Sequence, residues 1–139
     1  ARAEALYGAW LAGAVLGLVN IALHHKLCHT LGGTFDLPHA GVHTVVLPHA
    51  AAYNANAAPA AMAAIAAALG SANAPSGLFD LAQSIGAPTT LKALGMKEAD
   101  LDRAADLAVT RPYPNPAPVE RDLVRALLEN AYHGRRPAP

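Results

Sequence analysis

The chain has 139 residues, which is enough for one domain with a sizeable core. Ten basic and ten acidic side chains give a formal net charge of zero, so no broad positive field is available to bind phosphate backbones, and we expect no nucleic-acid partner. The single cysteine, Cys28, excludes an internal disulfide and favours a reducing compartment, so we expect a cytoplasmic protein.

The first predicted element is an apolar helix near the N-terminus. Residues Tyr7 to Leu23 are apolar apart from Asn20, and they include the spacing Gly13-x-x-x-Gly17 that packed membrane helices use. The stretch has about seventeen residues, at the lower limit for a membrane span, and its glycines dilute its hydrophobicity. No basic segment with a cleavage site marks a signal peptide. We therefore predict a helix that is buried on all sides inside a soluble bundle, and we expect no membrane partner.

The most informative pattern is a group of three histidines, His25, His29 and His39. If a helix runs from Leu16 to Leu31, His25 and His29 lie one turn apart on the same face. Gly32-Gly33 is predicted to end that helix, so His39 can open a second helix and fold back toward the first. Neutral imidazole binds zinc or iron and transfers protons near neutral pH. The group predicts a chemical site, although a lone histidine on an apolar helix is more often a packed core residue.

The other four histidines are less informative. His24 points away from its neighbour and is predicted to be structural or a pocket wall, whereas His43 can either join the group or line the core. His49 follows a proline and can simply occupy the helix kink. His133, near the end of the chain, is predicted to be solvated.

The rest of the sequence also favours helices. They are predicted over Val42 to Tyr53, over Ala60 to Leu69, over Ser76 to Ile85 with Ser76 as N-cap, over a segment that Met96 to Leu101 leads into and that runs through Val109, and over Val119 to Tyr132. Glycines 70, 86 and 134 follow helix ends. The predicted inner faces are Leu101, Ala104, Ala105 and Ala108, and then Leu123, Leu127 and Leu128. Four prolines keep residues 110–118 out of a helix, and no useful strand pattern occurs, so the predicted fold is all-α.

Several short motifs carry a resemblance to a known family. They are His-His-Lys-Leu-Cys-His-Thr-Leu-Gly-Gly-Thr-Phe at 24–35, Leu-Pro-His at 37–39, Val-Leu-Pro-His at 46–49 and Tyr-Asn at 53–54. Together they resemble the C-terminal domain of the iron-containing alcohol dehydrogenase superfamily. The first motif and the Arg-Pro-Tyr-Pro-Asn-Pro loop at 111–116 are most similar to the maleylacetate reductases.

The resemblance implies a fold and an activity. It implies that residues 1–139 form a helical bundle, the dehydroquinate synthase-like C-terminal α domain, and that an N-terminal nucleotide-binding α/β domain is absent. The implied partners are that domain, a small-molecule substrate and a second copy in a homodimer. The implied reaction is reduction of 2-maleylacetate to 3-oxoadipate by NADH or NADPH in aromatic compound catabolism. The 139 residues alone are expected to be inactive.

The resemblance also implies roles for individual residues. His25 and His29 are the expected catalytic residues, and His25 and His39 match the two family histidines that complete a metal site for Fe²⁺ or Zn²⁺, if that site is retained. His24, His39 and Tyr113 are expected to bind substrate, although Tyr113 can instead pack at the domain surface. Ala117 stands where many relatives carry an arginine. Two alternatives stay open: a metal-dependent alcohol dehydrogenase of the same superfamily, and a non-catalytic helical binding module.

Overall fold

The computed structural model describes residues 2–138, and the elements of this part are helical. They are α1 (Arg2–Leu18), α2 (Leu23–Phe35), α3 (His39–Asn54), α4 (Pro59–Leu69), α5 (Ala74–Ser84), α6 (Leu101–Val109) and α7 (Arg121–His133), with a short 3-10 turn at Glu98–Asp100 before α6. No strand occurs between residues 2 and 138, which confirms the all-α prediction.

The core lies between α2, α3, α6 and α7. Leu23, Leu27 and Leu31 recur every four residues in α2 and are completely buried, because this spacing places them on one helical face. The predicted inner faces of the later helices are buried as well, except that Leu123 in α7 is 52% exposed. The remaining core residues include Val42, Val45, Val46, Val124, Leu127 and Leu128. Each fully buried leucine contributes about 1.5–3 kcal/mol to folding.

The N-terminal helix differs from the prediction. None of the residues of α1 is buried, and Trp10 is 64% exposed, so the prediction of a helix buried on all sides is wrong. The physical reason is that no residue of α1 belongs to the core between α2, α3, α6 and α7, so its apolar side chains are left uncovered. The helix also stops at Leu18, and its axis meets that of α2 at 95°. A continuous helix from Leu16 to Leu31 is therefore wrong too.

The end of α2 also lies later than predicted. Gly32 and Gly33 stay inside the helix, which continues to Phe35. Asp36 then takes the left-handed conformation that ends it, with φ of 53°, and aspartate tolerates this conformation better than most residues. A Cβ at Gly32 would lie 3.7 Å from Nδ1 of His39, which is an ordinary van der Waals contact, so α3 would approach α2 as closely with an alanine there.

Hydrogen bonds and glycines fix the ends of the later helices. The N-cap of α5 is Asn73 and not Ser76, because the Asn73 side chain accepts a hydrogen bond of 2.9 Å from the Ser76 amide. The Ser76 hydroxyl instead donates to the carbonyl of Pro137 at 2.8 Å and holds the C-terminal segment. Gly70 and Gly134 have positive φ and end α4 and α7, as predicted.

One helical stretch between residues 2 and 138, Pro59–Ser84, is long and apolar enough to cross a membrane. Together α1 and α2 also have sufficient length and hydrophobicity, but the bend of 95° separates them. Core helices of ordinary globular proteins have the same length and composition. The stretch is interrupted by a turn between α4 and α5, and α5 packs against α3. The expectation of no membrane partner stays a prediction.

Candidate active site

The structure brings the three histidines of the predicted site together where α2 faces the start of α3. The ring centroids of His25 and His29 are 4.6 Å apart, and those of His39 lie 6.4 Å from His25 and 6.3 Å from His29. His29 and His39 are exposed and His25 is partly buried. The three rings thus form one solvent-accessible group at the edge of the bundle, which we call the histidine group.

His43, whose position the sequence left open, lies against this group. Its ring centroid is 4.4 Å from that of His39 and 4.9 Å from that of His25. Burial, followed by the charges of the neighbouring histidines, lowers the pKa of His43 to about 4. Burial is also the main cause that lowers the pKa of His25, and the charges of His29 and His39 lower it further. Both rings are therefore neutral near pH 7, and a neutral imidazole offers one N–H donor and one acceptor nitrogen.

His24 is on a different side of α2 from the histidine group. Its Nε2 lies 3.1 Å from the carbonyl oxygen of His43 and 3.7 Å from Sγ of Cys28. Cys28 is completely buried, and burial raises the pKa of its thiol to about 12. The structure therefore places His24 against Cys28 and His43, as a wall behind the histidine group.

Tyr113 lies in the proline-rich loop, in a groove of about 290 Å³ that Arg111 and Asn115 also line. Its hydroxyl is buried without a hydrogen-bond partner, and burial is the main cause that raises its pKa to about 12. The ammonium group of Lys26 lies 5.7 Å above the Tyr113 ring, which joins the loop to α2. Tyr113 therefore contacts the helix that carries His25 and His29.

An amide pair that the sequence analysis missed fixes this loop. Asn54 at the end of α3 and Asn115 exchange two hydrogen bonds of 2.8 and 3.2 Å through their side chains. Asn115 Oδ1 also accepts from the backbone N–H of Leu23 at 3.3 Å, so the loop caps the start of α2. Tyr53 adds a bond of 2.7 Å to the carbonyl of Pro118. The Tyr-Asn motif at 53–54 was the available signal in the sequence for this pair. It does not reveal the partner of Asn54, because Asn115 lies 61 residues away.

A second pocket of about 310 Å³ lies farther along α3. His49, Tyr53, Leu123 and Leu127 are among its lining residues. His49 is only 4% exposed, its Nε2 has no hydrogen-bond partner, and burial lowers its pKa to about 4. Because His49 follows His39 by ten residues, it lies roughly 15 Å along the helix from the histidine group and does not join it.

Comparison with known proteins identifies the family. The C-terminal model of the Fe-containing alcohol dehydrogenase family matches residues 1–132. The chain belongs to the Fe-containing alcohol dehydrogenase family. Among curated members, maleylacetate reductase from Burkholderia cepacia is 63% identical over 138 residues, and that from Pseudomonas knackmussii is 59% identical over the same length. Each alignment covers 99% of this chain and 39% of the relative.

Solved structures of the Fe-containing alcohol dehydrogenase family agree with this assignment. A putative alcohol dehydrogenase from Ralstonia eutropha JMP134 superposes with a TM-score of 0.95 at 61% identity, over 99% of this chain and 39% of that one. Maleylacetate reductase from Agrobacterium tumefaciens gives 0.92 at 55% identity, over 96% and 38%. The resemblance to the maleylacetate reductases is confirmed, and the chain spans about 39% of the length of these curated relatives.

The histidine group can be tested for the metal that the family name implies. An imidazole nitrogen binds zinc at about 2.0–2.1 Å, so two rings on one ion have centroids roughly 5 Å apart. The centroids of His25 and His39 are 6.4 Å apart, and one ring has to move inward by about 1 Å to share an ion. The pair fits as two of the four ligands that a tetrahedral ion takes, and further ligands have to come from other residues.

Proposed function

We propose that this chain is the C-terminal helical domain of an NADH- or NADPH-dependent maleylacetate reductase, which converts 2-maleylacetate to 3-oxoadipate. The observation that carries the proposal is the convergence of His25, His29 and His39 in a chain that is 63% identical to a maleylacetate reductase. The N-terminal nucleotide-binding domain and the residues that hold the cofactor are proposed to lie outside these 139 residues.

The reaction needs a hydride, a proton and stabilisation of an oxyanion. Bound NADH or NADPH would supply the hydride to the alkene carbon that is β to the ketone. The remaining electrons move onto the keto oxygen as an enolate, and a proton from solvent completes the α carbon. His25 is proposed to donate an N–H hydrogen bond to the developing oxyanion. His29, which is exposed, is proposed to deliver the proton and recover it from water.

We propose two sets of contacts to the substrate, one beside its reacting carbons and one at its carboxylates. His39 is proposed to contact the substrate beside the reacting carbons, and His24 is proposed to support the substrate site through the wall that it forms with His43. Tyr113 is proposed to donate its unpartnered hydroxyl to a carboxylate, supported by the nearby ammonium group of Lys26. Arg111 in the same groove offers a second cation.

If the metal site is retained, His25 and His39 would hold Fe²⁺ or Zn²⁺, which would polarise the keto oxygen as a Lewis acid. This possibility defines the second candidate function, a metal-dependent alcohol dehydrogenase. One observation supports this second candidate: a 1,3-propanediol oxidoreductase superposes on 81% of the chain with a TM-score of 0.73 at 30% identity. The homodimer and the cytoplasmic location remain proposals beside it.

The two candidates separate in assays of the full-length enzyme. We expect oxidation of NADH or NADPH with maleylacetate, and we expect the His25→Ala variant to lose about 10²–10³-fold in kcat/KM, because it removes one donor to the oxyanion. His133→Ala is the matched control, since His133 is exposed at the end of α7 and should leave the rate unchanged. Alcohol oxidation that requires added metal, with no turnover of maleylacetate, would instead establish the alcohol dehydrogenase.

A further inference from the structure

We propose that His24, Cys28 and His43 form a second cation site, distinct from the histidine group and suited to a thiophilic divalent ion such as Zn²⁺. One donor atom from each of the three residues lies within 4.8 Å of the other two. The proposal goes beyond the reductase function, because it concerns a different set of donors and is tested by binding.

The local geometry comes from two packed helices. His24 and Cys28 are one turn apart on α2, so their side chains lie on the same face, and His43 projects from α3 opposite them. In a tetrahedral zinc site a sulfur and a nitrogen ligand are about 3.6 Å apart. The distance between Nε2 of His24 and Sγ of Cys28 is 3.7 Å, which matches this separation.

His43 also carries a polar atom that the protein leaves unsatisfied. Its Nε2 is buried and has no hydrogen-bond partner, which is costly for a polar atom unless something else satisfies it. Nε2 of His24 already lies 3.1 Å from the carbonyl oxygen of His43, and this contact would be exchanged for a bond to the ion. A cation bound through Nε2 of His43 would also satisfy this atom.

The donor set also selects the ion. One thiolate and two imidazoles suit zinc and other borderline-soft metals, whereas magnesium and calcium prefer oxygen ligands. On binding, the Cys28 thiol releases one proton to solvent and the ion keeps a net charge of +1. Three protein ligands leave a fourth position for water or another small ligand.

The site shares one wall with the histidine group. The His43 ring lies 4.9 Å from that of His24 on one side and 4.4 Å from that of His39 on the other, by ring centroids. The two candidate sites differ in one decisive respect, because only the second contains sulfur. A metal–sulfur signal that depends on Cys28 therefore reports on this site and not on the histidine group.

The test uses the full-length enzyme, freed of metal by a chelator and then titrated with Co²⁺. We expect a thiolate-to-cobalt charge-transfer band that saturates at one ion per chain and disappears in Cys28→Ser. His24→Gln and His43→Gln should each weaken binding at least about tenfold. The double variant His25→Ala/His39→Ala should keep the band, and His133→Gln is the matched control for removal of a histidine.

Two results would overturn the proposal: absence of the charge-transfer band in the wild-type enzyme, or its persistence in Cys28→Ser. Because substitution of a buried cysteine can disturb folding, circular dichroism of each variant accompanies the titration. X-ray absorption of the zinc-loaded wild-type enzyme gives a second measurement that needs no variant. We expect one sulfur and at least two nitrogens around the bound zinc. A coordination shell without sulfur would refute the site.

Discussion

Acidification is expected to destabilise the domain through His49. This ring is 4% exposed, and burial lowers its pKa from 6.5 to about 4, so the folded state keeps it neutral while the unfolded state protonates it. Between these two values the unfolded chain binds more protons, and stability therefore falls as the pH falls from 6.5 toward 4.

The expected loss can be worked out from these values. At about pH 5 the unfolded ring is almost fully protonated, whereas only about a tenth of the folded rings carry a proton. The difference corresponds to about 2 kcal/mol lost relative to pH 7.5, since one pKa unit is worth about 1.4 kcal/mol. His49→Gln removes this contribution because glutamine does not titrate.

The assay compares urea unfolding of the full-length wild-type enzyme and the His49→Gln variant at pH 7.5 and pH 5. We expect the wild-type enzyme to lose about 2 kcal/mol more than the variant on acidification. Other histidines, such as His43, titrate in the same range but contribute equally to both proteins, so the difference isolates His49. Equal losses in the two proteins would show that His49 is not held neutral by burial.

Three further expectations concern folding of the same domain. Asn115→Ala should cost about 1–3 kcal/mol and lower the melting temperature, because it leaves the polar groups that Asn115 satisfies without partners; an unchanged melt would mean that water replaces it. Leu27→Ala should cost about 2–5 kcal/mol in urea unfolding, whereas Leu123→Ala, at a half-exposed position, should cost far less. Gly134→Ala should destabilise the enzyme, since φ is 65° and the new Cβ would lie 2.5 Å from a threonine methyl, whereas Gly33→Ala inside α2 should be neutral or stabilising by up to about 1 kcal/mol; equal melts of the two glycine variants would contradict this.

Local sequence patterns predicted the parts of the fold that depend on neighbours in the chain. The buried face of α6 follows from the spacing of Leu101, Ala104, Ala105 and Ala108, and Gly134 marks the end of α7. Local rules failed where two signals competed. Asn73 caps α5 ahead of Ser76, and Asp36 ends α2 although two glycines precede it.

The candidate site was predictable to the same extent. The four-residue spacing of His25 and His29 places them together on any helix, and the Pro-His motif starts α3 at His39. The sequence could not place His43, because its direction depends on how α3 is rotated against α2. Nor could it find the bonds between Asn54 and Asn115, which join residues 61 positions apart.

The hydrogen bond from the Leu23 amide to Asn115 has a consequence for biosynthesis. The helix that carries His25 and His29 leaves the ribosome 92 residues before the side chain that caps its first turn. At ordinary elongation rates this interval is roughly 5–20 s. During that time the start of the helix lacks its cap, so the final positions of these rings are set only late in translation, when the proline-rich loop has emerged and folded back.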